Sequence, residues 1–121
     1  MNDSGFNGYI TIPGDTYKIV IWYGMDLTHL EDDNVDVFVK FNNDDKYTAT
    51  FVSVANIHTL MKNHQTSGEC CHGLYLWIAD MIIVQDCSAE VIQKTVEGLI
   101  ADGEFYLAFS KIEKDENKKN E

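Results

Sequence analysis

The chain has 121 residues, of which 45% are hydrophobic and 12% aromatic, as expected for one globular domain. A chain of this length buries roughly 13,000 Å² on folding, which is enough for one core. Its formal net charge is −11, and all nine of its basic residues are lysine. Because arginine is the usual residue for binding phosphate and reading guanine, we expect no nucleic-acid partner and no anionic membrane partner.

The N-terminal half of the sequence predicts two antiparallel hairpins. Four segments have the β-branched and aromatic composition of strands: residues 9–12, 16–23, 35–41 and 46–54. Pro13-Gly14-Asp15 is a turn signal between the first two strands. Residues 42–45 are all Asn or Asp, which favours a turn between the last two. Residues 26–34 are then the loop that joins the hairpins.

Two amphipathic helices are predicted in the C-terminal half. The first covers residues 56–64, whose apolar stripe has the spacing i, i+3, i+4 and i+7: Ile57, Leu60, Met61 and His64. Ser88 is a typical N-cap for the second helix, and Gly103 is a typical residue to end it. The apolar residues between them form the buried stripe of that helix.

The remaining apolar segments are interpreted as strands. Residues 74–78 and 81–85 form two strands, or one bent strand that is interrupted at Asp80, and residues 104–111 form the last strand. The order ββββαββαβ predicts an α+β fold with a single, mainly antiparallel sheet and two helices packed on one face. Residues 1–112 then form one domain, and the charged residues 113–121 form a disordered tail.

Negative charge is concentrated in one segment. Between residues 26 and 45, Lys40 is the single basic residue beside seven carboxylates: Asp26, Glu31, Asp32, Asp33, Asp36, Asp44 and Asp45. The predicted hairpin is expected to bring the turn carboxylates close to the acidic loop. The segment lacks the glycine and the spaced aspartates of a calcium loop. We interpret it as a surface for a cationic protein partner, with an ordinary solvated loop as the alternative.

The segment Cys70-Cys71-His72, together with His64, contains residue types that bind zinc. Zinc motifs normally separate their cysteines by two to four residues, and adjacent residues on a strand face opposite sides. A cysteine nucleophile beside His72 meets the same geometric objection. A disulfide with Cys87 would need an oxidising compartment. We therefore interpret the segment as a turn before a buried strand, without a bound metal.

No sequence motif predicts an enzyme or a cofactor. The chain has no glycine-rich phosphate loop, zinc-protease helix or nucleophile elbow. No apolar run approaches the ~18 residues of a membrane helix, and residues 1–8 lack the features of a signal peptide. Three cysteines, an odd number, fit a reducing compartment. We therefore expect a cytoplasmic protein that binds another protein.

Residues 76–105, LWIADMIIVQDCSAEVIQKTVEGLIADGEF, resemble segments of small bacterial proteins in which a W-x-A-D-M-I-I-V strand precedes a capped helix ending in G-E-F. Some of these proteins are similar to immunity proteins of contact-dependent growth inhibition and other polymorphic toxin systems. The resemblance implies a small acidic protein that neutralises a toxin domain, often a basic nuclease, and transfers no binding residue by position. An acidic secretion chaperone that binds an effector segment and a small zinc or thiol protein remain alternatives.

Overall fold

A computed structural model describes residues 7–113 of the chain. Within this range the chain forms six strands and four helices: β1 (Tyr9–Ile12), β2 (Tyr17–Trp22), β3 (Asn34–Phe41), β4 (Lys46–Ser53), α1 (Val54–Ser67), α2 (Glu69–Gly73), β5 (Met81–Val84), α3 (Ala89–Ala101), α4 (Phe105–Ala108) and β6 (Ser110–Ile112). No helix in this part of the chain is long and apolar enough to cross a membrane. Of the predicted tail at 113–121, only Glu113 belongs to the described residues.

The strands form one sheet in the order β1-β2-β3-β4-β5, and β6 pairs with β4. Neighbouring strands are antiparallel except β5, which runs parallel to β4. The same edge of β4 is divided between two partners, because residues 50–53 pair with β5 and residues 46–48 pair with β6. The predicted α+β fold with a single, mainly antiparallel sheet is confirmed.

One face of the sheet, here called the first face, carries the core. Alternate residues of β2, β3 and β4 point to it and are buried: Ile19, Ile21, Val35, Val37, Val39, Ala49 and Phe51. Ile92 and Val96 of α3 pack on them, together with Phe105 of α4 and Phe109. No residue of α1 belongs to this cluster within the described residues. The two helices over this face are therefore α3 and α4, rather than the predicted pair of α1 and α3.

The opposite face of the sheet, here called the second face, is partly open. Trp22 and Asp36 point to it and are exposed. At one end of this face Val52 is fully buried, and its partner across the strands is Asn34. The side-chain amide of Asn34 donates a hydrogen bond of 2.7 Å to Asn56 Oδ1 of α1. Helix α1 therefore begins over this end of the second face.

Residues 74–78, which were predicted as a strand, are irregular in the structure. They follow a left-handed turn in which Cys70, Cys71 and His72 have φ angles of 51°, 53° and 58°. β5 and β6 occupy the edge of β4 that β3 leaves open, and residues 74–78 pair with no strand of the sheet. Leu74 and Trp77 are consequently 77% and 74% exposed. The prediction of a turn is correct, whereas the prediction of a buried strand after it is wrong.

The strand predicted at 104–111 is divided in the structure: residues 105–108 form the short helix α4, and the strand begins only at Ser110. Phe105 and Phe109 are both buried and stack with ring centroids 4.4 Å apart, a contact between residues i and i+4 that fits one helical turn. A strand would also have directed Leu107 into the core, but Leu107 is 87% exposed. Only Ser110–Ile112 pairs with the sheet.

Replacing Phe105 tests the packing of this turn. Phe105→Ala should lower the free energy of unfolding by about 3–5 kcal/mol, because it removes a ring that is 1% exposed from the core. Urea unfolding measures the change, and Leu107→Ala is the matched control two residues away. Equal effects of the two substitutions would contradict the helical placement of these residues.

Candidate functional site

The seven acidic residues predicted as one surface lie in separate places. Four are in the loop between β2 and β3: Asp26, Glu31, Asp32 and Asp33. Asp44 and Asp45 are in the turn after β3, and Asp36 is in β3 itself. Because β3 has eight residues at about 3.4 Å each, roughly 24 Å separates the loop from the turn. The expectation that the turn and the loop lie close together is therefore wrong.

The charges of Asp44 and Asp45 are locally compensated. Lys40 Nζ lies 3.8 Å from Asp44 Oδ1, and Lys111 Nζ lies 3.6 Å from Asp45 Oδ1. The strand register also places three lysines side by side across the second face: Lys18, Lys40 and Lys46. This end of the sheet therefore carries both signs of charge and is not an acidic surface.

Asp36 extends the negative charge of the loop onto the second face. It is the third residue of β3, and its neighbours across the strands are Trp22 and Thr50. Thr50 Oγ1 donates a hydrogen bond of 3.3 Å to its carboxylate. Asp36 is exposed and lies at the end of the strand that the loop enters. The candidate site is thus the loop at residues 24–33, here called the acidic loop, together with Asp36.

Hydrogen bonds attach the acidic loop, and Tyr23 directly before it, to the rest of the fold. Tyr23 Oη donates a hydrogen bond of 2.6 Å to the carbonyl of Cys87, and the amide of Cys87 donates one of 2.8 Å to the carbonyl of Leu30. The amide of Ser53 donates to the carbonyl of Asp33 at 3.0 Å. The amide of Asp33 donates in return to Ser53 Oγ at 3.1 Å. These bonds hold the loop in one conformation over the ends of the strands.

Asp32 is bound to helix α1. Its carboxylate accepts hydrogen bonds from Asn56 Nδ2 at 2.8 Å and from Thr59 Oγ1 at 2.9 Å. These two bonds hold the pKa of Asp32 below its ordinary value. Asn56 is only 6% exposed and also accepts the bond from Asn34. Asp32 is therefore an ionised residue that positions the loop.

His29 lies between two carboxylates of the loop. Its Nε2 is 3.0 Å from Asp26 Oδ2, and its Nδ1 is 3.9 Å from Asp33 Oδ2. The charge of Asp26 raises the pKa of His29. The hydrogen bonds that Thr28 donates to Asp26, through Oγ1 at 2.6 Å and the amide at 2.8 Å, lower the pKa of Asp26. Neither His29 nor Thr28 was predicted as part of the site, because no sequence pattern links them to the carboxylates.

Beneath the loop, burial changes the acidity of three groups. It raises the pKa of the Asp33 carboxyl above its ordinary value. It also raises the pKa of Tyr23 to about 12 and the pKa of the Cys87 thiol to about 12. The Cys87 Sγ donates to the carbonyl of Asp33 at 3.4 Å. Cys87 is thus a protonated structural thiol, and all three cysteines of the chain are free.

Exposed apolar side chains surround the carboxylates. Met25 and Leu27 on the loop are 73% and 40% exposed. Beside Asp36, the rings of Tyr9 and Trp22 are exposed and lie with centroids 4.6 Å apart. Methionine and aromatic residues are enriched at protein interfaces. A fixed set of carboxylates among apolar anchors has the chemistry of a protein-binding surface.

The segment around His64 offers no comparable site. His64 Nε2 lies 3.2 Å from Glu69 Oε1, and the left-handed turn follows directly with Cys70, Cys71 and His72. Within residues 7–113, no group of three or more His, Cys, Asp or Glu residues is arranged to hold a metal ion. The residues proposed as low-ranking zinc ligands therefore do not form a ligand set.

Comparisons with known proteins gave no match. No family model fits the chain, and no curated protein and no solved structure is significantly similar to it.

The buried amide of Asn56 provides a test of how the loop is held. Asn56→Ala should lower the free energy of unfolding by about 1–3 kcal/mol, because Asp32 and Asn34 each lose a hydrogen-bond partner. Asn63→Ala, at an exposed position of the same helix, is the control in urea unfolding. A loss no larger than that of Asn63→Ala would contradict the role assigned to this network.

The ion pair between His29 and Asp26 predicts that the stability of the protein depends on pH. Because the folded pKa of His29 is raised above 6.5, its contribution to stability is complete below about pH 6.5 and is lost as the pH rises through the folded pKa. An NMR titration should show that Asp26→Asn lowers the pKa of His29. Asp44→Asn, which removes the same charge roughly 24 Å away, should leave it unchanged. An equal decrease of the His29 pKa in both variants would mean that the net charge of the protein, and not the contact with Asp26, sets this pKa.

Proposed function

We propose that the chain is an immunity or inhibitor protein that binds a cationic toxin domain through the acidic loop and thereby neutralises it. The observation that carries the proposal is a fixed surface with five carboxylates and no lysine: Asp26, Glu31, Asp32, Asp33 and Asp36. The proposed place of action is the cytoplasm, where such a protein would meet an incoming toxin. The resemblance of residues 76–105 to segments of small bacterial proteins, some of which are similar to immunity proteins, is consistent with the same class of function.

Electrostatic steering is the first step of the proposed mechanism. A toxin that acts on nucleic acid needs a positive surface for phosphate, and a negative surface of matching size attracts it during diffusion. The carboxylates of the acidic loop then occupy the place of phosphates. Asp32 is bonded within the fold and the side chain of Asp33 is only 15% exposed, so Asp26, Glu31 and Asp36 are the charges available to a partner.

Apolar contact and rigidity supply the second step. Met25 and Leu27 extend from the same loop and can enter pockets of the partner. The bonds from Ser53, Cys87 and Asn56 fix the loop before binding, so little conformational entropy is lost when the complex forms. Fast, charge-driven association and slow dissociation would follow from this combination.

Growth rescue is the direct test of the function. Where a secreted toxin is encoded beside the gene for this chain, its C-terminal domain should arrest growth when expressed alone. Co-expression of the chain should restore growth. Continued arrest in cells that contain the folded chain and the toxin domain would contradict the proposal.

Association kinetics test the assigned surface. Replacing three outward charges together, Asp26→Asn, Glu31→Gln and Asp36→Asn, should slow association with the toxin domain by about tenfold at low salt and weaken its salt dependence. A control with the same change of charge combines Asp44→Asn, Asp102→Asn and Glu104→Gln, which are exposed positions away from the loop. Equal slowing in both triple variants would mean that net charge, and not the acidic loop, drives the encounter.

A further inference from the structure

A second candidate site lies at the opposite end of the sheet, where a groove of about 280 Å³ runs beside the turn after β3. Three aromatic residues and one carboxylate line it: Phe41, Tyr47, Tyr106 and Asp45. These four residues are here called the aromatic groove. We propose that the aromatic groove binds the guanidinium group of an arginine side chain from another protein. This proposal is independent of the toxin-binding function, because the acidic loop lies roughly 24 Å away.

The three rings of the aromatic groove form a fixed wall. Their centroids lie 5.7 Å apart for Phe41 and Tyr47, 5.3 Å apart for Tyr47 and Tyr106, and 6.4 Å apart for Phe41 and Tyr106. Each ring also packs against Phe105, which is 1% exposed, at 5.2–5.6 Å. Tyr106 itself is 64% exposed. A buried ring thus supports an exposed aromatic surface, which attracts cations through its π-electrons.

The carboxylate of Asp45 gives the groove its charge preference. Asn43 orients it, since Asn43 Nδ2 donates to Asp45 Oδ2 at 3.3 Å and the amide of Asp45 donates to Asn43 Oδ1 at 3.0 Å. An ammonium group already approaches it, because Lys111 Nζ lies 3.6 Å from Asp45 Oδ1. Both side chains of this pair are partly exposed, and such pairs are weak. A cation with better geometry can therefore displace Lys111.

Guanidinium fits this combination better than ammonium does. Its planar group stacks on an aromatic face and can donate two parallel hydrogen bonds to one carboxylate, whereas lysine carries a compact and strongly hydrated charge. The chain contains no arginine. None of the 121 residues can therefore supply the group, either within one chain or from a second copy of these residues. The occupant is therefore an arginine of a different protein.

A blocked Gly-Arg-Gly peptide is the probe for this site. Its addition to the full-length protein should shift the amide NMR signals of Asn43 and Tyr106. Tyr106→Leu, which keeps an apolar side chain but removes the ring, and Asp45→Asn should each weaken binding by about fivefold. Lys111→Met should tighten binding by about threefold, because it removes the competing ammonium. This gain of affinity is not expected from a merely structural role of the pair.

Asp44→Asn is the matched control. It removes the same charge from the adjacent residue, which has its own partner in Lys40 at 3.8 Å and does not line the aromatic groove. Equal weakening by Asp44→Asn and Asp45→Asn would overturn the proposal in favour of unspecific attraction. Weakening by Asp26→Asn would instead place the peptide at the acidic loop and would also overturn it. Equal binding of a Gly-Lys-Gly peptide would contradict the preference for guanidinium.

Discussion

A single buried serine joins three elements of the fold. Ser53 ends β4, caps α1 by accepting from the amide of Asn56 at 3.2 Å, and bonds the backbone of Asp33 through both its amide and its hydroxyl. Its side chain is fully buried, so these bonds are not shared with water. The carboxylates of the acidic loop depend on this junction for their position. Their geometry is therefore a property of the sheet and of α1, although the residues themselves lie in a loop.

The charge of the molecule is unevenly distributed. The net charge is −11, yet both aspartates of the turn after β3 have lysine partners on neighbouring strands, and a row of lysines crosses the sheet nearby. At the other end the acidic loop has no lysine. A molecule of this kind has a preferred orientation in the field of a charged partner, in addition to its overall attraction. Orientation, more than total charge, makes the acidic loop a distinct surface.

Much of the fold could be predicted from local sequence. The hairpins follow from alternating apolar residues and from turns such as Pro13-Gly14-Asp15, and the start of α3 follows from Ser88. The strand predicted at 74–78 is absent: the segment follows the left-handed turn at Cys70–His72 and pairs with no strand, and a local apolar pattern does not reveal pairing. The strand predicted at 104–111 failed because apolar residues in a short run fit a helical turn equally well.

The candidate site was only partly predictable. Composition identified the acidic segment. The length of β3, however, places Asp44 and Asp45 at the end of the sheet opposite to the acidic loop. The bonds that shape the acidic loop join residues far apart in the chain, such as Asp32 with Asn56 and Leu30 with Cys87. Hydrophobic periodicity and residue spacing do not predict hydrogen bonds between residues so far apart in the sequence. In the sequence, nothing distinguishes Asn56 from the other polar residues of the predicted helix.

The contact between Tyr23 and Cys87 spans 64 residues and has a consequence for biosynthesis. During translation the carboxylates of the loop leave the ribosome early, whereas the backbone that fixes them is made much later. The acidic loop can thus reach its final shape only after Cys87, which follows β5, has been synthesised. A chain truncated before Cys87 would carry the same acidic residues without the hydrogen bonds that shape the loop.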